Sequence, residues 1–128
     1  MTYTESNRLH IFESPIDAMS HATIYCINKN DKNAWRNQNR LSLAGISDKA
    51  LLHYLETHPN VEELIFHLDN DEAGKSATEE KVRKYEKMGF KTFDEPPRGK
   101  DLNDDLLALT EQKKAVKRTQ MHHYDIGI

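Results

Sequence analysis

The stretch Leu64–Ser76, "LIFHLDNDEAGKS", sets three acidic residues, Asp69, Asp71 and Glu72, directly after an apolar run. Read with period two, Leu64, Phe66 and Leu68 face one way and Ile65, His67 and Asp69 the other. A segment apolar on both faces suits a buried parallel strand. In an open parallel sheet, ligands bind beyond the carboxyl ends of the strands, so Asp69 and Asp71 open onto a crevice there. Two carboxylates held close repel, and a proton or a cation must relieve them.

Working outward, "RLHIFES" (8–14) reads as a strand ending at Glu13 and Ser14, and Ser14-Pro15 supplies an N-cap and a first-turn proline. The spacing predicts a helix over 15–28, with Ile16, Met19, Thr23 and Ile27 facing the sheet. "NKNDKNAWRNQNR" (28–40) breaks every periodicity and reads as a polar loop. "LSLAG" (41–45) is a second strand ended by Gly45. Ser47 then caps a helix that carries Leu51, Leu52 and Leu55 to His58, stopped by Pro59. A charged helix follows over 71–88, with a narrow stripe of Ala73, Ala77, Val82 and Tyr85, and Gly89 stands at its C′ position. "FKTF" (90–93) is the fourth strand. A last helix begins near Leu102 or Asn103 and carries Leu106, Leu107 and Leu109. The stretch 113–128 has no assignment.

Strands alternating with helices give an α/β three-layer sandwich with a four-stranded, mainly parallel sheet. If Glu13 is to meet Asp69 and Asp71, the first and third strands are neighbours and the order is 2-1-3-4. With 128 residues and 37% hydrophobic content, the chain is expected to be one domain. Its core spans about 9–109, with 110–128 as a helical extension and tail. No apolar run reaches membrane-spanning length and the start "MTYTESNR" is polar, so a cytoplasmic protein is expected. The lone Cys26 reads as a buried helix residue. A formal charge of −3 excludes a strong grip on nucleic acid through charge alone.

Acids recur at three strand ends: Glu13, then Asp69 and Asp71, then Asp101, Asp104 and Asp105. Hard oxygen ligands of this kind suit Mg2+ or Mn2+ and point to phosphoryl transfer. The competing account is that they cap helix starts, where the dipole favours negative charge; it serves Asp48 and Glu72 well. "AGKS" imitates a P-loop, but the required first glycine falls at Asp69. Trp35 with Arg36, Arg40, Lys29 and Lys32 is either a stacking loop for bases or a solvated loop pinned by its tryptophan. His67 reads as a satisfied core histidine.

"FESPIDAMS", "LAGIS", "LDNDEAGKS" and "GKDLND" resemble, in order and spacing, the Toprim domain of bacterial primases, topoisomerases and certain nucleases. The likeness runs from Leu9 to about Leu109. Glu72-Ala73-Gly74 and the ending "KDLND" are similar to primase-like Toprim proteins of plasmids and mobile elements. The resemblance implies metals on Asp69 and Asp71, further ligands from Asp101 or Asp104, and proton handling by Glu13. It also implies phosphate contacts at Gly74, Lys75, Arg98 and Lys100, for whose cations a plain surface role stands beside this one. The expected cofactor is Mg2+ or Mn2+. Expected partners are nucleic acid and nucleotides, held weakly, and flanking domains of a larger protein. A Toprim nuclease and a non-catalytic binding or assembly module are the alternatives. A topoisomerase needs a tyrosine nucleophile for which no tyrosine here has a context, and a dehalogenase-like phosphatase carries its Asp-x-Asp after the first strand.

Overall fold

The computed structural model describes residues 6–43 and 48–126, with side chains to residue 118. Four strands, β1 (Arg8–Phe12), β2 (Asn39–Ser42), β3 (Glu63–Phe66) and β4 (Lys91–Asp94), form one parallel sheet in the order β2-β1-β3-β4. The winding therefore reverses between β1 and β3, as expected. Helices α2 (Lys49–Thr57) and α3 (Glu72–Lys87) cover one face, and α1 (Pro15–Lys29) and α4 (Leu102–Ile126) the other.

The alternation of side chains builds two unlike layers. Leu9, Ile11, Leu64, Phe66 and Leu68 meet Leu51 and Tyr54 of α2 and Tyr85 of α3 in the main apolar core. Each large side chain buried there contributes about 1.5–3 kcal/mol. α3 reaches it through buried Gly74, Thr78, Lys81 and Tyr85, with Ala77 and Val82 of the expected stripe packed partly buried against it and Ala73 exposed. The buried Lys81 is tolerated because Asp48 pairs with it and with Lys84. Asp48 thus ties α2 to α3, and its side chain does not cap α2. Gly89 has φ of 99° and follows the C-cap Met88, the left-handed position at which glycine ends a helix.

The opposite layer is polar, and this changes how α1 packs. Ser14 caps it and Pro15 opens it, but Ile16 and Met19 are 56% and 69% exposed. Asp17, Ala18 and Ser20 are buried instead. The expected apolar face points to solvent because the sheet beneath α1 presents His10, Arg40 and His67 beside Phe12, all buried. His10 Nδ1 lies 2.8 Å from His67 Nε2, His10 Nε2 lies 2.7 Å from Gln38 Oε1, and His67 Nδ1 lies 2.9 Å from the Glu95 carbonyl oxygen. From α1, His21 Nδ1 accepts from Arg40 Nε at 3.0 Å. His67 is the buried core histidine expected, its Nδ1 bonded to the Glu95 carbonyl.

Three boundaries differ from expectation. β2 begins at Asn39, whose fully buried amide donates to the carbonyls of Ser6 and Arg8, so a polar residue can open a buried strand. Residues 28–40 contain a 3-10 turn, Ala34–Asn37, and α1 ends at Asn30 in the left-handed conformation. α4 continues to Ile126 through the unassigned stretch; Leu109 and Val116, seven apart, border a groove against Ile27, while Leu107 is exposed. Cys26 is half-buried rather than buried. Gly45 and Ser47 lie outside the described residues.

Burial, and then the neighbouring charges, hold the histidines below the usual imidazole value of 6.5: His10 at about 4, His67 at about 3 and His21 at about 2. They are neutral in the fold, while the unfolded chain takes up protons as pH falls through 6.5. Stability is therefore intact above that value and lost as pH falls from about 6.5 towards 4. Urea midpoints across that range are expected to drop steeply, and His21→Gln to flatten the slope. A midpoint unchanged between neutral pH and about pH 4.5 would contradict the neutral histidine layer.

Candidate metal centre

At the carboxyl edge of the sheet the backbone ladder continues past the strands: His67 N–H donates to the Ile11 carbonyl at 2.8 Å, and Leu43 N–H to Phe12 at 2.8 Å. These bonds fix the chain where β1 runs into Glu13 and β3 into Asp69. Because β1 and β3 are adjacent and parallel, the two carboxylates emerge side by side. Asn70 N–H donates to the Lys100 carbonyl at 2.9 Å, which brings the segment after β4 to the same edge.

Asp69 is the centre of the cluster. Its Oδ1 is buried and, among the described residues, accepts no hydrogen bond. Burial, then the adjacent Glu13 carboxylate within hydrogen-bonding reach, then Asp71 and Asp101, push its carboxyl up to about 6. Two carboxylates in contact are both acceptors, and the contact is favourable only with a proton or cation between them. An orphaned oxygen ringed by acids fits a hard divalent ion, and Asp69, Asp71 and Asp101 are the residues that would hold it, with Glu13 beside them.

The remaining site residues fall into distinct places. Asp71 is the N-cap of α3, its Oδ1 accepting from Gly74 N–H at 2.7 Å, so capping and site membership coincide in one residue. Asp101 does the same for α4, accepting from Asp104 N–H at 2.9 Å. Asp104 is exposed one turn into α4 and is not among the charges that raise Asp69. Asp105 turns back to accept from Arg98 and Gly99 N–H at 2.8 and 2.7 Å, shaping the loop that carries Arg98 and Lys100. Lys75, Arg98 and Lys100 are exposed. Gly74 is buried, and a Cβ there would stand 2.0 Å from the Asp69 carbonyl oxygen. Its close backbone approach is thus to the chain's own Asp69, which lets α3 start directly behind the carboxylate.

One further acid was missed at the sequence level. Asp17 is buried beneath the cluster, exchanges hydrogen bonds with Ser14 and accepts from the backbone N–H of Leu102. Burial raises its pKa, and Asp69 and Asp101 add to this against the Ser14 hydrogen bond. It joins α1 to the start of α4 and so helps place Asp101. The Ser14-x-x-Asp17 spacing of a helix-capping pair was the available signal.

The raised Asp69 gives a stability signature. A carboxyl at about 6 in the fold, against 3.8 otherwise, contributes stability below about pH 4 that is lost as pH rises through about 6. Asp69→Asn, whose amide can donate to Glu13, is expected to stabilise the metal-free protein at pH 8 and not at pH 4. Gly74→Ala is expected to destabilise it by about 2 kcal/mol or more at both. Denaturant titrations in chelator check both, and an Asp69→Asn variant less stable than wild type at pH 8 would contradict the electrostatic strain.

A Toprim-like family model matches residues 10–106, from β1 into α4. No curated protein matches the sequence significantly. The matched segment contains Glu13, Asp69, Asp71 and Asp101, the acids brought together above, on the sheet order expected of that fold. Toprim domains serve metal-dependent processing of nucleic acid, and this chain belongs to the Toprim-like family.

Proposed function

We propose that this chain is the catalytic Toprim domain of a DNA primase-like protein of a mobile element, cytoplasmic, joined to flanking domains and acting by Mg2+- or Mn2+-dependent phosphoryl transfer. The observation that carries the reading is the orphaned Asp69 oxygen within a ring of carboxylates. A purely structural helix cap has a donor for each buried oxygen. The primase-like assignment rests on the Glu72-Ala73-Gly74 and Lys100-Asp101-Leu102-Asn103-Asp104 segments.

Asp69 and Asp71, with Asp101 or Asp104, would hold the ions. When bound, they supply positive charge to phosphate oxygens and lower the pKa of an attacking hydroxyl or water. Glu13, beside Asp69, exchanges the proton with the attacking or departing oxygen. Lys75, Arg98 and Lys100 surround the same edge and bind phosphate oxygens from solvent, and Gly74 keeps the start of α3 close behind Asp69. The net charge of −3 provides no long-range attraction, so affinity for nucleic acid is local and weak.

Mn2+ is expected to raise the melting temperature of the chain by a few degrees, and the Asp69→Asn, Asp71→Asn double variant to abolish the shift. Glu13→Gln should retain the shift while abolishing turnover by the intact parent protein. Anisotropy of a short single-stranded oligonucleotide should rise with Mn2+ and fall on chelation, and joint removal of Lys75, Arg98 and Lys100 should weaken binding about tenfold. An equal Mn2+ shift in the double variant, or wild-type turnover by Glu13→Gln, would remove the assignment. Template-directed synthesis by the parent protein supports the primase reading, and cleavage alone replaces it with a nuclease.

A further inference from the structure

We propose that His10, His21 and His67 form a second, buried site for a divalent transition ion of the zinc or cobalt kind, on the α1 side of the sheet and distinct from the carboxylate cluster. The three residues come from β1, α1 and the extension of β3, and one nitrogen of each lies within 4.8 Å of those of the other two. Their ring centroids form a nearly equilateral triangle with sides of 4.7, 4.7 and 5.0 Å. Three imidazoles bound to one ion at about 2.1 Å and near-tetrahedral angles place their centroids about 5 Å apart.

The hydrogen bonds at the outer edges of two rings turn their inner nitrogens towards one another. The Glu95 carbonyl can only accept, so His67 carries its proton on Nδ1, which leaves Nε2 as a lone pair. Gln38 turns Oε1 to His10 and its amino group to Tyr25 Oη, so His10 carries its proton on Nε2 and leaves Nδ1 as a lone pair. The two lone pairs then face one another across 2.8 Å, a repulsive contact unless a cation lies against both. Outer-edge bonds to a carbonyl and a carboxamide oxygen are the arrangement that orients metal-binding imidazoles. A shared ion opens the pair by about half an ångström.

His21 supplies the third nitrogen, Nδ1, exchanging the Arg40 N–H for the ion. Arg40 stays anchored through its bond to the Trp35 carbonyl at 2.8 Å. Its charge opposes the ion's, which sets a modest affinity. Three neutral imidazoles select a borderline transition ion over Mg2+, so the two centres take different metals. Entry requires α1 to move, since His10 and His67 are 6% and 5% exposed.

The test uses the whole chain, stripped with chelator and titrated with Co2+ and then Zn2+ near neutral pH, as wild type and as the Asp69→Asn, Asp71→Asn variant that silences the carboxylates. The expected result is uptake of one Co2+ per chain in both, with visible d–d absorption of nitrogen-ligated cobalt that Zn2+ displaces. His21→Ala should weaken uptake by about tenfold or more. Imidazole 15N resonances of the wild-type chain give a readout free of any variant, with Zn2+ shifting His10 Nδ1 and His67 Nε2. If the wild-type resonances do not move with Zn2+, the proposal falls. The layer is then a closed relay of hydrogen bonds from Tyr25 to Glu95, with the Gln38 amide turned over. Uptake by wild type that is lost in the Asp69→Asn, Asp71→Asn variant while its fold is intact would equally assign the ion to the carboxylates and overturn the site.

Discussion

Glu13 and Asp69 are pressed together by the sheet itself. Each follows the last ladder bond of its strand, and the strands are neighbours and parallel, so both side chains leave the sheet at the same edge. At Gly74, α3 starts against the Asp69 carbonyl at a distance only a residue without Cβ allows. Burial and then this repulsion lift Asp69 to about 6, and one of its oxygens has no donor among the described residues. A fold under selection for stability alone would put an amide or a hydroxyl there. The cost is intelligible if a cation completes the cluster.

The capping of helix starts and membership of the acid cluster coincide in Asp71 and Asp101. Asp71 and Asp101 each give one oxygen to a helix N-terminus, which fixes the orientation of the carboxyl group and leaves the second oxygen for the crevice. Helix starts at the edge of a parallel sheet thus hold ligands steady as well as favouring negative charge. Asp105 uses both oxygens on the backbone of Arg98 and Gly99 and shapes the rim instead.

Much of this was legible before the fold was known. Alternation in Leu64–Asp69 placed a buried strand with an acid at its end, and the demand that Glu13 meet Asp69 gave the strand order. The misreadings cluster on one side of the sheet. The apolar residues of helix α1 suggest one rotation, but the layer it covers sets His10, His67 and Arg40 among Phe12 and Ile65, so polar contacts share in its rotation and Ile16 and Met19 face outward. The start of β2 was missed for the same reason: Asn39 is buried because its amide completes the edge of β1. Hydrophobic periodicity reports burial only where the buried partner is apolar. Asp17 is signalled only by its spacing from Ser14, and the histidine cluster escapes because its members lie far apart in sequence and converge only through the topology.

The central claim is that the Asp69 carboxyl is held partly protonated by its neighbours until a divalent ion relieves it. A carboxyl 13C NMR titration of the intact chain, in chelator and then in saturating Mg2+, tests this at the atom concerned. The account predicts a midpoint for Asp69 at about 6 without metal and a fall of more than one pH unit with Mg2+. An ordinary carboxylate midpoint near 3.8 that Mg2+ leaves unmoved would contradict it.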